Sequence, residues 1–369
     1  MSSNPPYRSD IVGSFLRPPS LKAARAAFEA GELDADALRA AEDEAIVEVV
    51  KRQKDAGLAA VTDGEFRRAW WHYDFYDGLD GVSVIDSDHG IQFTGVATKS
   101  RVLRVTDRIR FTADHPFLAH FAFLNRNLPN GVQAKMTIPA PTVLHFRLDP
   151  DAVVTGAYAD HEDAFDDLAA AYRDAVQAFY DAGCRYLQFD DTAWAYLCSP
   201  AELQKAAARG IRTEGLGERY AKLINDSLAG KPDDMVVTTH VCRGNFRSTW
   251  IASGGYEPVA EQLLGNTDFD GYFLEYDSER AGGFEPLRFL PRGDKTVVLG
   301  LITSKSGELE DADAVRGRID EASEFVPLEQ LALSPQCGFA STEEGNVLTE
   351  EQQWAKVREV VQIARDVWR

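Results

Sequence analysis

Residues Leu168–Asp191 read LAAAYRDAVQAFYDAGCRYLQFDD. Leu168, Tyr172, Val176 and Phe179 recur at helical spacing. Asp181-Ala-Gly183 then ends the helix, because glycine supplies the left-handed C-cap. Tyr186–Asp190 (YLQFD) follows as a short, largely apolar strand. The same punctuation occurs earlier. Asp36–Ala56 carries Leu38, Ala41, Ala45, Val49 and Val50 on one face, Asp55-Ala-Gly57 closes it, and Ala59–Asp63 (AAVTD) reads as the next strand.

Working outward, further strands are expected at Asp10–Phe15, Gln133–Ile138, Val236–Val241, Gly271–Glu275, Thr296–Ile302 and Gln330–Ser334. Thr349 with Gln352 forms a capping-box pattern that opens a last helix through Trp354, Val357, Val361 and Ile363. Eight strands alternating with helices predict an α/β fold, a (β/α)8 TIM barrel; a doubly wound sheet is the alternative. One region breaks the alternation. Residues 74–131 show no clear long helix, and Arg101–Phe111 (RVLRVTDRIRF) alternates basic and apolar residues. It predicts a β-rich insertion after strand two, a hairpin or small meander. Its arginines form either a solvated strand face or a patch for an anionic ligand. No linker or repeat divides residues 1–369, which are read as one catalytic barrel.

The chain has 369 residues, 39 Lys+Arg and 59 Asp+Glu, a net charge of −20. That balance argues against nucleic-acid and anionic-membrane partners, whose phosphates need basic residues. The 44% hydrophobic and 27% charged composition is that of a folded globular chain. No apolar run is long enough to span a bilayer, and Met1–Asp10 lacks the apolar core of a signal peptide. Four cysteines are too few for a disulfide scaffold, which favours a reducing, cytoplasmic setting. Cys184 and Cys198 read as packing residues.

Barrel chemistry gathers at the C-terminal ends of the strands. Those ends carry Val12-Gly13-Ser14, Asp63-Gly64-Glu65, Asp190-Asp191, His240-Val-Cys242, Glu275, Lys305 and Cys337. His240 and Cys242 lie two apart in an extended strand and so share a face. With Glu275 and Cys337 they make one nitrogen, two sulfurs and one oxygen, a donor set suited to Zn2+. The alternative is a pair of buried, inert thiols.

These residues resemble the cobalamin-independent methionine synthase family, specifically its C-terminal zinc barrel and its short single-barrel members. The matching segments are Ile11-Val-Gly-Ser-Phe15, Asp63-Gly-Glu65, Leu187-Gln-Phe-Asp190, His240-Val-Cys242, Glu275 and Ser334-Pro-Gln-Cys-Gly338. The resemblance implies methyl transfer to the thiol of homocysteine, forming methionine. It assigns zinc to His240, Cys242, Glu275 and Cys337. It assigns the substrate carboxylate to Val12, Gly13 and Ser14, and the substrate ammonium to Glu65 and Asp190. Glu65 could instead pair with Arg67 or Arg68, and Asp190 could cap a helix.

Two departures bear on the methyl donor. The family's histidine after strand seven is absent, and Lys305 stands about there, either as a weak catalytic candidate holding an anion or as a solvated loop lysine. The long members' N-terminal barrel is also absent. Trp70, Trp71 and His72, with Tyr73 and Phe75, would wall the donor side, or pack beneath the insertion. The donor is left open between a methylfolate and a methylated corrinoid or corrinoid protein. Other readings are alkyl transfer to a different thiol such as coenzyme M, and a metal-free decarboxylase-like barrel. The paired acids argue against a sulfonate acceptor.

Overall fold

The computed structural model describes residues 4–86, 92–93, 96–97, 101–148, 157–159 and 162–368. Six parallel strands, Met136–Pro139, Tyr186–Asp191, Val236–Val241, Gly271–Glu275, Thr296–Ile302 and Leu331–Pro335, pair in chain order. Gln133–Ala134, one residue before the first of these, pairs in parallel with Ala60–Val61. Central strands are buried on both faces, as helix-covered parallel strands must be.

The N-terminal segment takes the first barrel position in an unexpected way. Asp10–Phe15 is not a regular strand; a single parallel bridge joins Ser9 to Leu333. Side chains instead satisfy its backbone. Asp10 Oδ1 accepts from the Ile11 amide at 2.8 Å, Gln188 Nε2 donates to the Val12 carbonyl at 2.8 Å, and Thr62 Oγ1 donates to the Gly13 carbonyl at 2.6 Å. A buried backbone group needs a partner, and here the partners are polar side chains of the barrel interior. Phe15 N also donates to Gly64 O at 3.1 Å, linking this segment to the turn after the second strand. The architecture is the expected (β/α)8 barrel, with one position held by side-chain bonds rather than a ladder.

Helices follow the expected punctuation. Ala35–Ala56 ends at Gly57 with φ 100°, and Phe165–Asp181 runs into Gly183 with φ 96°. Glu350–Val367 opens with the Thr349/Gln352 capping box. Val12, Phe273, Val298 and Ala332 pack as a small apolar cluster. Asp10 and Lys135 form a fully buried ion pair at 3.2 Å, with Tyr186 OH donating to Asp10 at 2.8 Å.

The insertion is β-rich as expected: Asp80–Asp86 pairs antiparallel with Arg101–Arg110. Gly81, at φ 79°, sits at the register shift, where a Cβ would lie 2.4 Å from Arg108 O. The expectation of no long helix in this region is wrong. Pro116–Arg126 is an eleven-residue helix that buries Phe117, Phe121 and Leu124. Their i, i+4 and i+7 spacing was legible, but the aromatic-rich run masked it. In the long strand Leu103, Val105 and Ile109 are buried while Arg101, Arg104, Arg108 and Arg110 are exposed. Arg108 pairs with Asp167. These four arginines thus lie on a solvated strand face.

Candidate metal centre and substrate cavity

Neighbouring strands place their C-terminal ends at one level. Asp190 is in register with His240, and Phe273, two residues before Glu275, is in register with the same histidine. Cys242 follows one strand directly and Cys337 lies two residues beyond another. As a result one potential ligand atom from each of His240, Cys242, Glu275 and Cys337 lies within 4.8 Å of the others.

The local chemistry fits a metal. The two sulfurs are 3.6 Å apart. With Zn–S bonds of about 2.3 Å, two thiolates on a tetrahedral ion stand about 3.8 Å apart. Glu275 is fully buried; the Arg243 amide donates to Oε1 at 3.0 Å, while Oε2 has no partner. A buried carboxylate oxygen left bare is costly unless a cation meets it. His240 Nδ1 is 3.3 Å from Asp190 Oδ1, and Nε2 is 3.9 Å from Glu275 Oε1. Burial disfavours charging this imidazole, but the Asp190 hydrogen bond and the charges of Cys337, Asp190 and Glu275 prevail and raise its pKa to about 9. The hydrogen bond with Cys242 pulls the Cys337 pKa down to about 7 against its burial, helped by His240 and Lys305. The same bond, with burial, pushes Cys242 up. The thiolate form is thus favoured at Cys337 over Cys242.

This cluster opens onto a partly open cavity. Val12, Ser14, Glu65 and Asp190 line it together with Trp70, Trp71 and His72. Gly13 stands behind: a Cβ there would meet Thr137 Cγ2 at 2.8 Å and Glu65 Oε1 at 3.1 Å. Ser14 Oγ accepts from the Ala340 amide at 3.2 Å, which leaves its own hydrogen to donate. Glu65 has φ 61°, a left-handed conformation uncommon for a residue with a side chain. Asp63 Oδ1, accepting its amide at 2.8 Å, and Arg17, donating to its carbonyl at 2.8 Å, hold it there.

The two alternatives for the acids divide. Glu65 does pair with Arg68, at 3.6 Å, and accepts from Thr137 Oγ1 at 2.9 Å, yet its Oε2 is buried and unpartnered. Burial pushes its pKa up. Asp190 caps no helix; Asp191 accepts the Ala193 amide at 2.6 Å instead. Asp190 accepts from Gln188 Nε2 at 2.7 Å and faces His240.

Lys305 departs from the solvated-loop reading. It is not a solvated loop residue, since its side chain is 11% exposed, and it does not line the cavity. Its Nζ bonds Gln336 Oε1 and stands 3.7 Å from Asp277 Oδ2. His72 is 1% exposed, and neither ring nitrogen has a partner. Burial and the charge of Arg147 hold its pKa well down, so the ring is neutral. Arg147 itself lines the cavity and went unnoticed in the sequence. It lies at the end of the segment after the strand Met136–Pro139, with no motif around it.

Residues 8–366 match the family model described as the cobalamin-independent synthase catalytic domain. The chain is 54% identical over 364 residues to the uncharacterized protein YxjH of Bacillus subtilis (strain 168), covering 99% of this chain and 95% of that one. Its structure is similar to that of a putative vitamin-B12 independent methionine synthase from Listeria monocytogenes, with a TM-score of 0.81, 46% identity, and coverage of 99% and 98%. A B12-independent methionine synthase from Shewanella sp. W3-18-1, solved in complex with selenomethionine, shares the fold with a TM-score of 0.72 at 18% identity, covering 98% and 97%.

Proposed function

The chain belongs to the cobalamin-independent synthase catalytic-domain family, and on that premise we propose that it is a zinc-dependent methyltransferase that forms methionine from homocysteine. One observation carries the reading: four buried side chains from three strand ends converge as two sulfurs, one nitrogen and one oxygen. Zinc held by His240, Cys242, Glu275 and Cys337 would supply the positive charge that keeps an acceptor thiol deprotonated near neutral pH.

The chain's own residues do the rest. Asp190 orients His240, as a carboxylate behind a ligating imidazole does. The bare Oε2 of Glu65 and the cavity-lining carboxylate of Asp190 suit an ammonium group. The Ser14 hydroxyl, with the backbone of Val12 and Gly13, suits the carboxylate of the same amino acid. Fixing both ends of the amino acid aims its thiol at the metal cluster and leaves the aromatic side for the donor. The selenomethionine bound by the Shewanella protein is a product analogue of this reaction, which supports the reading. The whole chain acts as one catalytic barrel. The donor is a methylfolate or a methylated corrinoid, free or carried by a corrinoid protein. The free thiols suit the cytoplasm. Among the described residues no helix is long and apolar enough to cross a membrane.

The test is methionine formation by zinc-loaded protein from homocysteine, run with mono- and polyglutamyl methylfolate and with methylcobalamin. X-ray absorption should show the sulfur count around zinc rise when homocysteine is added. Turnover on coenzyme M but not homocysteine, or full activity without metal, would replace this reading.

A further inference from the structure

Arg147 ends the helix Pro141–Arg147 that follows the third barrel strand, and its side chain lines the substrate cavity. Among the described residues it is a cation without an acid. Nη2 donates to Tyr196 OH at 2.9 Å and to Thr192 Oγ1 at 3.4 Å, both neutral, and the buried Nε has no partner. Among the described residues no carboxylate stands within ion-pair distance of it, in a chain of net charge −20. Other arginines do find acids: Arg212 and Arg219 pair with Glu162, and Arg280 with Asp277.

The ring of Trp71 lies 6.0 Å from the guanidinium and that of Tyr196 5.9 Å, so its fork sits between flat walls. Beside it the unpartnered, neutral ring of His72 lines the same cavity. The same cavity is lined by Glu65 and Asp190. It therefore offers acidic groups and the Arg147 guanidinium. On the proposed reading, Glu65, Asp190, Ser14 and the backbone of Val12 and Gly13 serve both charged groups of the acceptor amino acid. The guanidinium is left for the second substrate.

We propose that Arg147 anchors an anionic group, a carboxylate or a phosphodiester, on the methyl donor, and that His72 offers the same ligand an uncharged ring nitrogen. The proposal rests on the methyl-transfer reading for the word donor, but the anion site stands on its own. A planar guanidinium fork matches either oxyanion. A methylfolate carries the carboxylate and a corrinoid carries the phosphodiester in its nucleotide loop, so direct binding separates the sources.

The experiment titrates 5-methyltetrahydrofolate and, separately, methylcobalamin into zinc-loaded wild type, R147Q, R147K, H72F and the remote control R288Q, following tryptophan fluorescence. At least one compound should bind wild type, and salt should weaken it. R147Q should lose about tenfold or more in affinity for that compound and most of the salt dependence, while R147K recovers much of it. H72F, which keeps the ring shape without nitrogens, should lose a few-fold. Zinc content and homocysteine KM should be unchanged in R147Q, and R288Q should match wild type. Equal donor affinity in R147Q and wild type, a defect in homocysteine KM instead, or no binding of either compound to wild type would each overturn the anchor. Arg147-dependent binding without methyl transfer to homocysteine would overturn the functional reading and keep the anchor.

Discussion

Oδ1 of Asp190 stands 3.3 Å from Nδ1 of His240, and the two residues are register partners on adjacent parallel strands. The carboxylate fixes which imidazole nitrogen turns toward Glu275 and the cysteines. Outer carboxylates of this kind are worth about 10- to 100-fold in metal affinity. D190N should therefore bind zinc more weakly by about that factor, read by competition with a chromogenic chelator. It should weaken homocysteine binding as well. Unchanged zinc affinity would show that His240 needs no such orienting partner.

Cys337 supplies one of two sulfurs in the cluster, and a serine hydroxyl is a poor zinc donor at neutral pH. C337S should be isolated with little zinc by elemental analysis and should lose methyl transfer together with the metal. Full zinc occupancy with normal turnover would remove Cys337 from the ligand set.

Gly338 has no room for a side chain: a Cβ would lie 2.0 Å from Ser14 Oγ. G338A should displace the serine hydroxyl, raise the KM for homocysteine, and leave zinc bound. Overpacking of this kind also costs about 1–3 kcal/mol of stability, measurable by urea denaturation. A variant with wild-type KM would mean that Ser14 does not touch the substrate.

His115 makes a prediction about acid. Nε2 meets the Phe75 carbonyl at 3.0 Å, so it carries the proton, and Nδ1 accepts the Phe117 amide at 3.2 Å as the cap of the insertion helix. Burial holds its pKa down to about 4, against the help of Phe75 O and Asp114. The unfolded chain takes up a proton near pH 6.5 and the folded chain only near the lower value, so stability is full above the first and falls toward the second. The loss at pH 5 is about 2 kcal/mol. H115Q should be less stable at pH 7.5 but should lose less between pH 7.5 and pH 5. An identical pH dependence in both proteins would assign the acid sensitivity elsewhere.

Periodicity and punctuation by themselves located the strands that bear the cluster. Val236–Val241 and Gly271–Glu275 form over the expected residues, and the expected Gln330–Ser334 forms one residue later as Leu331–Pro335. These strands are buried along nearly their whole length, so they read as short segments of β-branched and other apolar residues. The donor types at the strand ends were legible for the same reason, since one fold rule places every strand end at one rim. The tertiary structure alone decided the rest. Asp10–Phe15 lacks a ladder because Gln188 and Thr62, distant in sequence, take its carbonyls. Lys305 is turned onto Gln336 and Asp277. Arg147, which no motif marks, becomes the cation of the cavity. Hydrogen bonds and charge pairing over long sequence separations depend on which chains lie side by side, and local spacing carries no record of that.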